Sequence, residues 1–284
     1  MELLSTPIDF AKYCNGAARL LGLVPTMGSI HVGHLELVNQ AKAECNTVVA
    51  SLFVNPMQFG DQIDFLSYPR DSSADLLVLE SSGVDALYMP GTHLVFPQDF
   101  TTSISVNGPA LGMEGSVRPG HFEGVATIVA KLLIGSNADN AYFGRKDGQQ
   151  VAVIKRMVTD LDMQTQIREV ETSREPDGLA ISSRNVLLSP KQRATAPILY
   201  QALLAGQKAF EDGERQQLVI INIVKEILST DGDKSRSIDY VEMVEPESMT
   251  PWISGKAMLV GAIRLGDIRI IDNVILVENN IDDI

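Results

Sequence analysis

His31 and His34 lie in the run Pro25-Thr26-Met27-Gly28-Ser29-Ile30-His31-Val32-Gly33-His34, after an apolar segment and before a helix-like pattern through Leu35, Leu37, Val38 and Ala41. A strand ending there hands the chain to a glycine turn, with both imidazoles where the next helix begins. Main-chain N–H groups and the positive end of the helix dipole converge at such a point and favour an anion. Gly28 and Gly33 leave room for a flat base or a phosphate to come close. Three residues apart, the two rings share one face of a helical turn. Both can then donate to one phosphate as charge builds on it. Either histidine alone reads as a helix cap or packing group; the order strand, glycine, His-x-Gly-His, helix favours nucleotide chemistry.

Other segments carry compatible groups. Val54-Asn55-Pro56-Met57-Gln58-Phe59 closes the next strand, and its two amides, Asn55 and Gln58, each donate and accept, which suits a small hydroxylated carboxylate. The bland alternative is an ordinary polar loop. Asp71 and Asp75, one helical turn apart, form either a Mg²⁺ site working through waters or a solvated face. The stretch from Glu114 to Phe122 is rich in Gly and Pro, reads as a loop, and holds Glu114, Arg118 and His121. A structural Glu114–Arg118 ion pair is the competing reading. Phe143-Gly144-Arg145-Lys146-Asp147-Gly148-Gln149-Gln150 again runs from strand end to helix start. There Lys146 suits phosphates, Asp147 a ribose, and Gln150 a second substrate. Ile181-Ser182-Ser183-Arg184 brings two hydroxyls and a guanidinium to bear on a polyphosphate.

The His-x-Gly-His order resembles the signature of nucleotidyltransferases and class I aminoacyl-tRNA synthetases. The segments PTMGSIHVGH, SLFVNPMQF, YPR, EGSVRPGHF, FGRKD–QQ, DGLAISSRN and LGDIRIIDN, in this order from about Leu23 to Asn273, narrow it. Together they resemble the pantothenate synthetase (pantoate–β-alanine ligase) family. That resemblance implies joining of pantoate to β-alanine with ATP as substrate and Mg²⁺, through a pantoyl adenylate, in a homodimer. It gives His31, His34, Lys146 and Arg184 catalytic roles. Met27, Gly33, His34, Gly144, Lys146, Asp147, Ile181, Ser182, Ser183 and Arg184 would bind ATP. Gln58, Gln150, Met27 and Asn55 would bind pantoate, Glu114 and Arg118 would line the pocket, and Asp75 matches an acidic position near Mg²⁺. Two positions depart from the family pattern: Gly148 replaces an aromatic residue, and Arg145 a Glu or Gln.

These residues need elements to hold them. Over the first 170 or so residues, apolar β-branched runs (20–24, 48–54, 84–89, 141–143 and around 163–170) alternate with helix-like stretches (35–44, 73–82, 125–133 and 149–160). Such alternation implies right-handed βαβ crossovers, a mainly parallel sheet and ligands beyond its carboxyl edge. Ser189-Pro190-Lys191-Gln192 predicts a capped helix to about Glu211. A second helix over 216–228, a turn at Asp231-Gly232-Asp233 and strands at 238–244, 257–263 and 268–277 follow. The expected class is α/β: a Rossmann-like domain, 1–175, with a smaller C-terminal α+β lid domain, 176–284.

The 284 residues are 45% hydrophobic, which is ample for a packed core, and carry a net charge of −13. That acidity argues against nucleic-acid binding, which draws its affinity from basic faces. Cys14 and Cys45 lack metal-ligand spacing and read as reduced. With no membrane-length apolar stretch, a cytoplasmic protein is expected. The rival readings are a different nucleotidyltransferase and a nucleotide-binding regulatory module that does no chemistry.

Overall fold

The computed structural model describes residues 1–60, 65–66, 68–230 and 235–277. Strands β1 (Glu2–Leu4), β2 (Leu21–Thr26), β3 (Thr47–Leu52), β4 (Ala86–Tyr88), β5 (Asn140–Gly144) and β6 (Gln166–Val170) form one sheet in the order β1-β4-β3-β2-β5-β6. Every pairing in it is parallel. The central strands are mostly apolar and buried along nearly their whole length because both faces are covered. Leu23 and Val49 look towards helices α1 (Pro7–Gly16), α6 (His121–Ser136) and α7 (Gly148–Asp160). Their neighbours Val24 and Ala50 look towards α2 (Val32–Glu44) and α3 (Ser72–Ser81). The chain leaves β2 towards β3 on one side and returns to β5 on the other, so the crevice beyond their carboxyl ends is the topological switch point.

That crevice has a local cause. β2 pairs with β5 only through Gly22 and Leu23. Further along β2 stands Pro25, which has no N–H to offer a neighbour on the β5 side. Where the two strands part, Pro25 thus leaves no N–H of its own without a partner.

The C-terminal part packs α9 (Ile198–Glu211) and α10 (Gln217–Ser229) on an antiparallel sheet of β7 (Arg236–Val244), β8 (Ala257–Leu265) and β9 (Ile268–Leu276), with its own apolar core. A smaller cluster of Met113, Ala152, Val244, Met249, Met258 and Val260 joins the two parts.

Two sequence expectations change. The helix predicted from Ser189 to Glu211 is two, α8 (Pro190–Thr195) and α9, broken at Pro197, whose ring cannot continue the ladder. Its start is as predicted: Ser189 and Gln192 form a reciprocal capping box. The 114–122 stretch is no continuous loop. It contains the short helix α5 (Met113–Val117), and His121 begins α6. β1, α1 and the short α4 (Thr92–Val95) had no counterpart in the periodicity. The turn expected at Asp231-Gly232-Asp233 lies outside the described residues. Among the described residues, no helix is long and apolar enough to cross a membrane.

Candidate active site

A cavity of about 230 Å³ opens at the switch point. Pro25, Met27, His31, Gly33 and His34 border it from the β2–α2 turn, and Gly144, Lys146, Asp147 and Gln150 from the β5–α7 turn. Asn55 and Gln58 come from the end of β3, Arg118 from the α5–α6 junction, and Ile181, Ser182, Ser183 and Arg184 from the segment after β6. Of the residues to which the family resemblance gave site roles, only Glu114 and Asp75 lie outside this lining.

The β2–α2 turn is held from below. Gly28 has φ +87°, a conformation that suits glycine. Asp75 accepts the Ser29 and Ile30 amides at 2.8 and 2.7 Å. A Cβ on Gly28 would stand 2.8 Å from Asp75 Oδ2, and one on Gly33 would stand 3.1 Å from the His31 ring. The room those glycines provide is thus taken by protein groups that shape the turn. Asp71 caps its own helix by accepting the Ala74 amide, so the two aspartates do not converge as a pair. Both oxygens of Asp75 are already bonded to the turn. Among the described residues, no group of three or more His, Cys, Asp or Glu side chains could hold a metal.

His31 and His34 stack, with ring centroids 4.0 Å apart and 22° between planes. The His31 N–H donates to His34 Nδ1 at 3.3 Å. In the tautomer this bond requires, the His34 proton sits on Nε2. Burial, helped by neighbouring His31, pulls the His34 pKa down to about 3. Burial and nearby Lys146 also lower that of His31. Both rings are therefore neutral near pH 7. His31 Nδ1 is buried and has no hydrogen-bond partner among the described residues.

On the opposite wall Lys146 Nζ lies 3.3 Å from Asp147 Oδ1. For Asp147 the upward push of burial is outweighed by Lys146 and Arg184, which hold it ionised. Ser182 Oγ accepts the Arg184 amide, and Ser183 Oγ donates to Ser29 O at 3.3 Å, tying the late segment to the glycine turn. The adjacent glutamines divide their work. Gln150 borders the cavity, while Gln149 donates to Pro109 O and Leu111 O and accepts the Glu114 amide.

Asn55 is spent on scaffolding. Its Nδ2 donates to Gln58 Oε1 and to Gly124 O, both at 3.0 Å, and its Oδ1 accepts the Met57 amide. It aims Gln58, whose Nε2 lies 3.0 Å from Met27 Sδ. Buried His121 has its pKa pulled down to about 4 by burial and by Arg118. It bridges Gln58 O (2.9 Å) and Arg118 Nη1 (3.2 Å).

Glu114 borders a second, smaller cavity of about 40 Å³. Its carboxylate accepts the Tyr240 hydroxyl at 2.7 Å and Arg269 Nη1 at 2.6 Å, with Arg118 at 4.0 Å. Burial opposes its charge, but Arg269 and Tyr240 win and hold the pKa below the usual range. The expected partner Arg118 is thus the most distant of three, and Glu114 works as a joint between the two parts.

Both departures from the family pattern have local explanations. A Cβ on Gly148 would meet Met258 Sδ at 2.8 Å, so β8 fills the space a side chain would need. Arg145 pairs with Glu169 at 3.3 Å and with Glu171, anchoring its turn to β6 and to the segment just beyond that strand.

A model of the pantoate-beta-alanine ligase family matches residues 4–275. The chain belongs to the pantoate-beta-alanine ligase family. A pantothenate synthetase from Chloroflexus aggregans is 43% identical over 279 residues, spanning 97% of this chain and all of the relative. The crystal structure of pantothenate synthetase from Thermus thermophilus superposes with a TM-score of 0.89 at 44% identity, covering 96% of this chain and 99% of that one. A pantoate-beta-alanine ligase from Francisella tularensis, complexed with beta-gamma ATP and beta-alanine, gives a TM-score of 0.78 at 30% identity, with 96% and 97% covered. The six-stranded parallel sheet and small antiparallel sheet agree with this ligase family.

Sequence reasoning missed some of the lining. Thr172 and Ser173 follow β6 directly, at the same carboxyl edge as the exits of β2, β3 and β5. Buried Tyr68 also borders the cavity, with the Arg184 guanidinium 5.9 Å from its ring. Its signal was an aromatic residue just before Pro69.

Proposed function

We propose that this chain condenses pantoate with β-alanine using ATP, through an enzyme-bound pantoyl adenylate, and releases pyrophosphate, AMP and pantothenate. One observation carries the reading: His31, His34, Lys146 and Arg184 border the same cavity, which Gln58 and Gln150 also line. A carboxylate is a poor acyl donor because its leaving group would be an oxide. Attack of the pantoate carboxylate on the α-phosphate, with pyrophosphate leaving in line, replaces that oxide with AMP. This step asks mainly for alignment and for compensation of negative charge. Lys146 and Arg184 supply positive charge, and neutral His34 offers its Nε2–H to a phosphate oxygen. Gln58 and Gln150 hold pantoate, with Met27 beside it. Gly144, Asp147 and Ile181 flank the nucleoside, and Ser182 and Ser183 the phosphates. The deprotonated amine of β-alanine then attacks the acyl carbon, and the C–O bond to AMP breaks.

Mg²⁺ enters this reading as the ion accompanying ATP. The chain's own described residues do not form a cage for it, so no step is assigned to it. Two domains, 1–175 and 176–284, are likewise proposed; two sheets with separate apolar cores support that division. A homodimer working in the cytoplasm completes the proposal, and light scattering tests the dimer.

The deciding experiment follows AMP release from ATP with pantoate and β-alanine omitted in turn. AMP is expected only with both present, and pantoate alone should exchange labelled pyrophosphate into ATP. AMP release without β-alanine at the full rate, or no exchange with pantoate, would refute the reading.

A further inference from the structure

The last of the motifs that carry the family resemblance, Leu265 to Asn273, supplies no group to the substrates in the mechanism above. It nevertheless grips the turn that presents Lys146. Asn273 is buried in β9 and donates both hydrogens of its side-chain amide, one to Arg145 O at 2.9 Å and one to Lys146 O at 3.0 Å. These carbonyls lie just beyond the last ladder pairing of β5, in a three-residue 3₁₀ turn, where the strand register no longer fixes the backbone.

Asn273 is itself held on both sides. Its backbone sits opposite Val260 in the β8–β9 ladder, and its N–H donates to Asp272 Oδ1 at 2.8 Å. Asp272 receives a two-pronged contact from Arg174 at 2.6 and 3.0 Å. The Arg174 guanidinium lies 3.5 Å from the centroid of the Tyr200 ring and donates to Gly178 O. A rigid series of contacts therefore runs from α9 through Arg174 and β9 to the backbone that carries Lys146.

We propose that Asn273 is a positioning residue for adenylation: its amide fixes the carbonyls of residues 145 and 146 and thereby sets where the Lys146 ammonium stands in the cavity. The inference rests on the function proposed above. A charge that must meet phosphates in flight tolerates little displacement, and misplacement by about 1 Å can cost about a hundredfold. The residue type follows from the partners. Two carbonyl oxygens need two donors, which an amide supplies and a carboxylate of the same shape does not. Asn273→Asp turns two attractions into oxygen–oxygen repulsions while preserving volume.

The test is a double-mutant cycle on pantoate-dependent pyrophosphate exchange with wild type, N273D, K146A and the double variant. N273D is expected to lower the exchange rate ten- to a hundredfold with the pantoate KM changed less than twofold. In the K146A background the same substitution should change the rate less than twofold, because the group it positions is gone. An unchanged rate in N273D, or an equal loss in both backgrounds, overturns the proposal. Should N273D fail to fold, N273A takes its place in the cycle, with the same results expected and the same results fatal. If wild type shows no pantoate-dependent exchange, the adenylation reading fails instead. The cycle is then run on ATP affinity by calorimetry, where N273D must weaken binding only when Lys146 is present.

Discussion

The two turns that border the cavity from β2 and from β5 are held differently. The β2–α2 turn with His31 and His34 is fastened mainly from within its own sheet domain, by Asp75 and by Thr26, whose hydroxyl donates to Ser51 O at 2.7 Å. The β5–α7 turn with Lys146 is tied to β6 by Arg145, but it is also fastened from outside that sheet, by Asn273, and its neighbourhood by the Glu114–Tyr240–Arg269 joint. The lysine side therefore leans on the C-terminal sheet, whereas the imidazole side meets the later part of the chain through the Ser183 hydroxyl on Ser29 O. Loosening of the C-terminal sheet should disturb the lysine side more than the imidazole side.

The most direct way to break this comparison is to delete its end points. His34→Ala and Lys146→Ala should each slow adenylation at least a hundredfold, about 2.7 kcal/mol of lost transition-state contact. Near-normal pyrophosphate exchange in both would remove these side chains from the chemistry.

Next in size is Glu114→Ala. It leaves the Tyr240 hydroxyl without its acceptor and Arg269 with Asp239 as its remaining carboxylate partner, at a cost of about 2 kcal/mol in urea unfolding. If the asymmetry holds, residual activity falls through the lysine side, and His34 titration is unaffected. Asp75→Ala is the mirror experiment. Losing two hydrogen bonds to a carboxylate should cost about 2 kcal/mol and disturb the imidazoles, with the Asn273 contacts intact. A D75A protein as stable as wild type would show that the turn holds itself.

A gentler test uses protons. His34 has its pKa held at about 3, against an ordinary value of 6.5, so the unfolded chain takes up this proton first. The folded state keeps that advantage above pH 6.5 and loses it as pH falls from 6.5 towards 3. H34N should flatten the fall in stability across this window. Because His34 meets the phosphate as a neutral donor, ATP binding near pH 6 should take up no proton at this ring. Calorimetry in buffers of different ionisation heat measures proton uptake, and H34N should leave it unchanged.

The smallest effect concerns Gly148. Gly148→Ala should cost about 1 kcal/mol through its contact with Met258 and much less in a Met258→Ala background, whose own core truncation is measured separately. Full additivity would mean that the contact is not shared.

Much of this was legible in the sequence because it is local. Buried parallel strands are continuous apolar runs, and glycine turns with histidines or a lysine sit where strands end. Order along the chain therefore placed His31, His34, Gln58 and Lys146 at one edge, whereas Arg184 was brought to the site by the family resemblance. What the sequence hid depends on distant partners. The α5 helix stands in a Gly- and Pro-rich stretch whose composition says loop, and the distant Gln149 accepts its Glu114 amide. Asp75 reads as a metal ligand until the Ser29 and Ile30 amides arrive from residues far away in sequence. Pro197, by contrast, is a local signal: its ring marks the break in the predicted long helix without help from any distant residue.

Pro25 has one more effect. Since the parting of β2 from β5 follows from a ring closed on a backbone nitrogen, no incoming molecule has to prise the sheet apart or strip a hydrogen bond from it. The gap stands ready before any ligand arrives, and affinity that would otherwise go into wedging it open remains for orientation and chemistry.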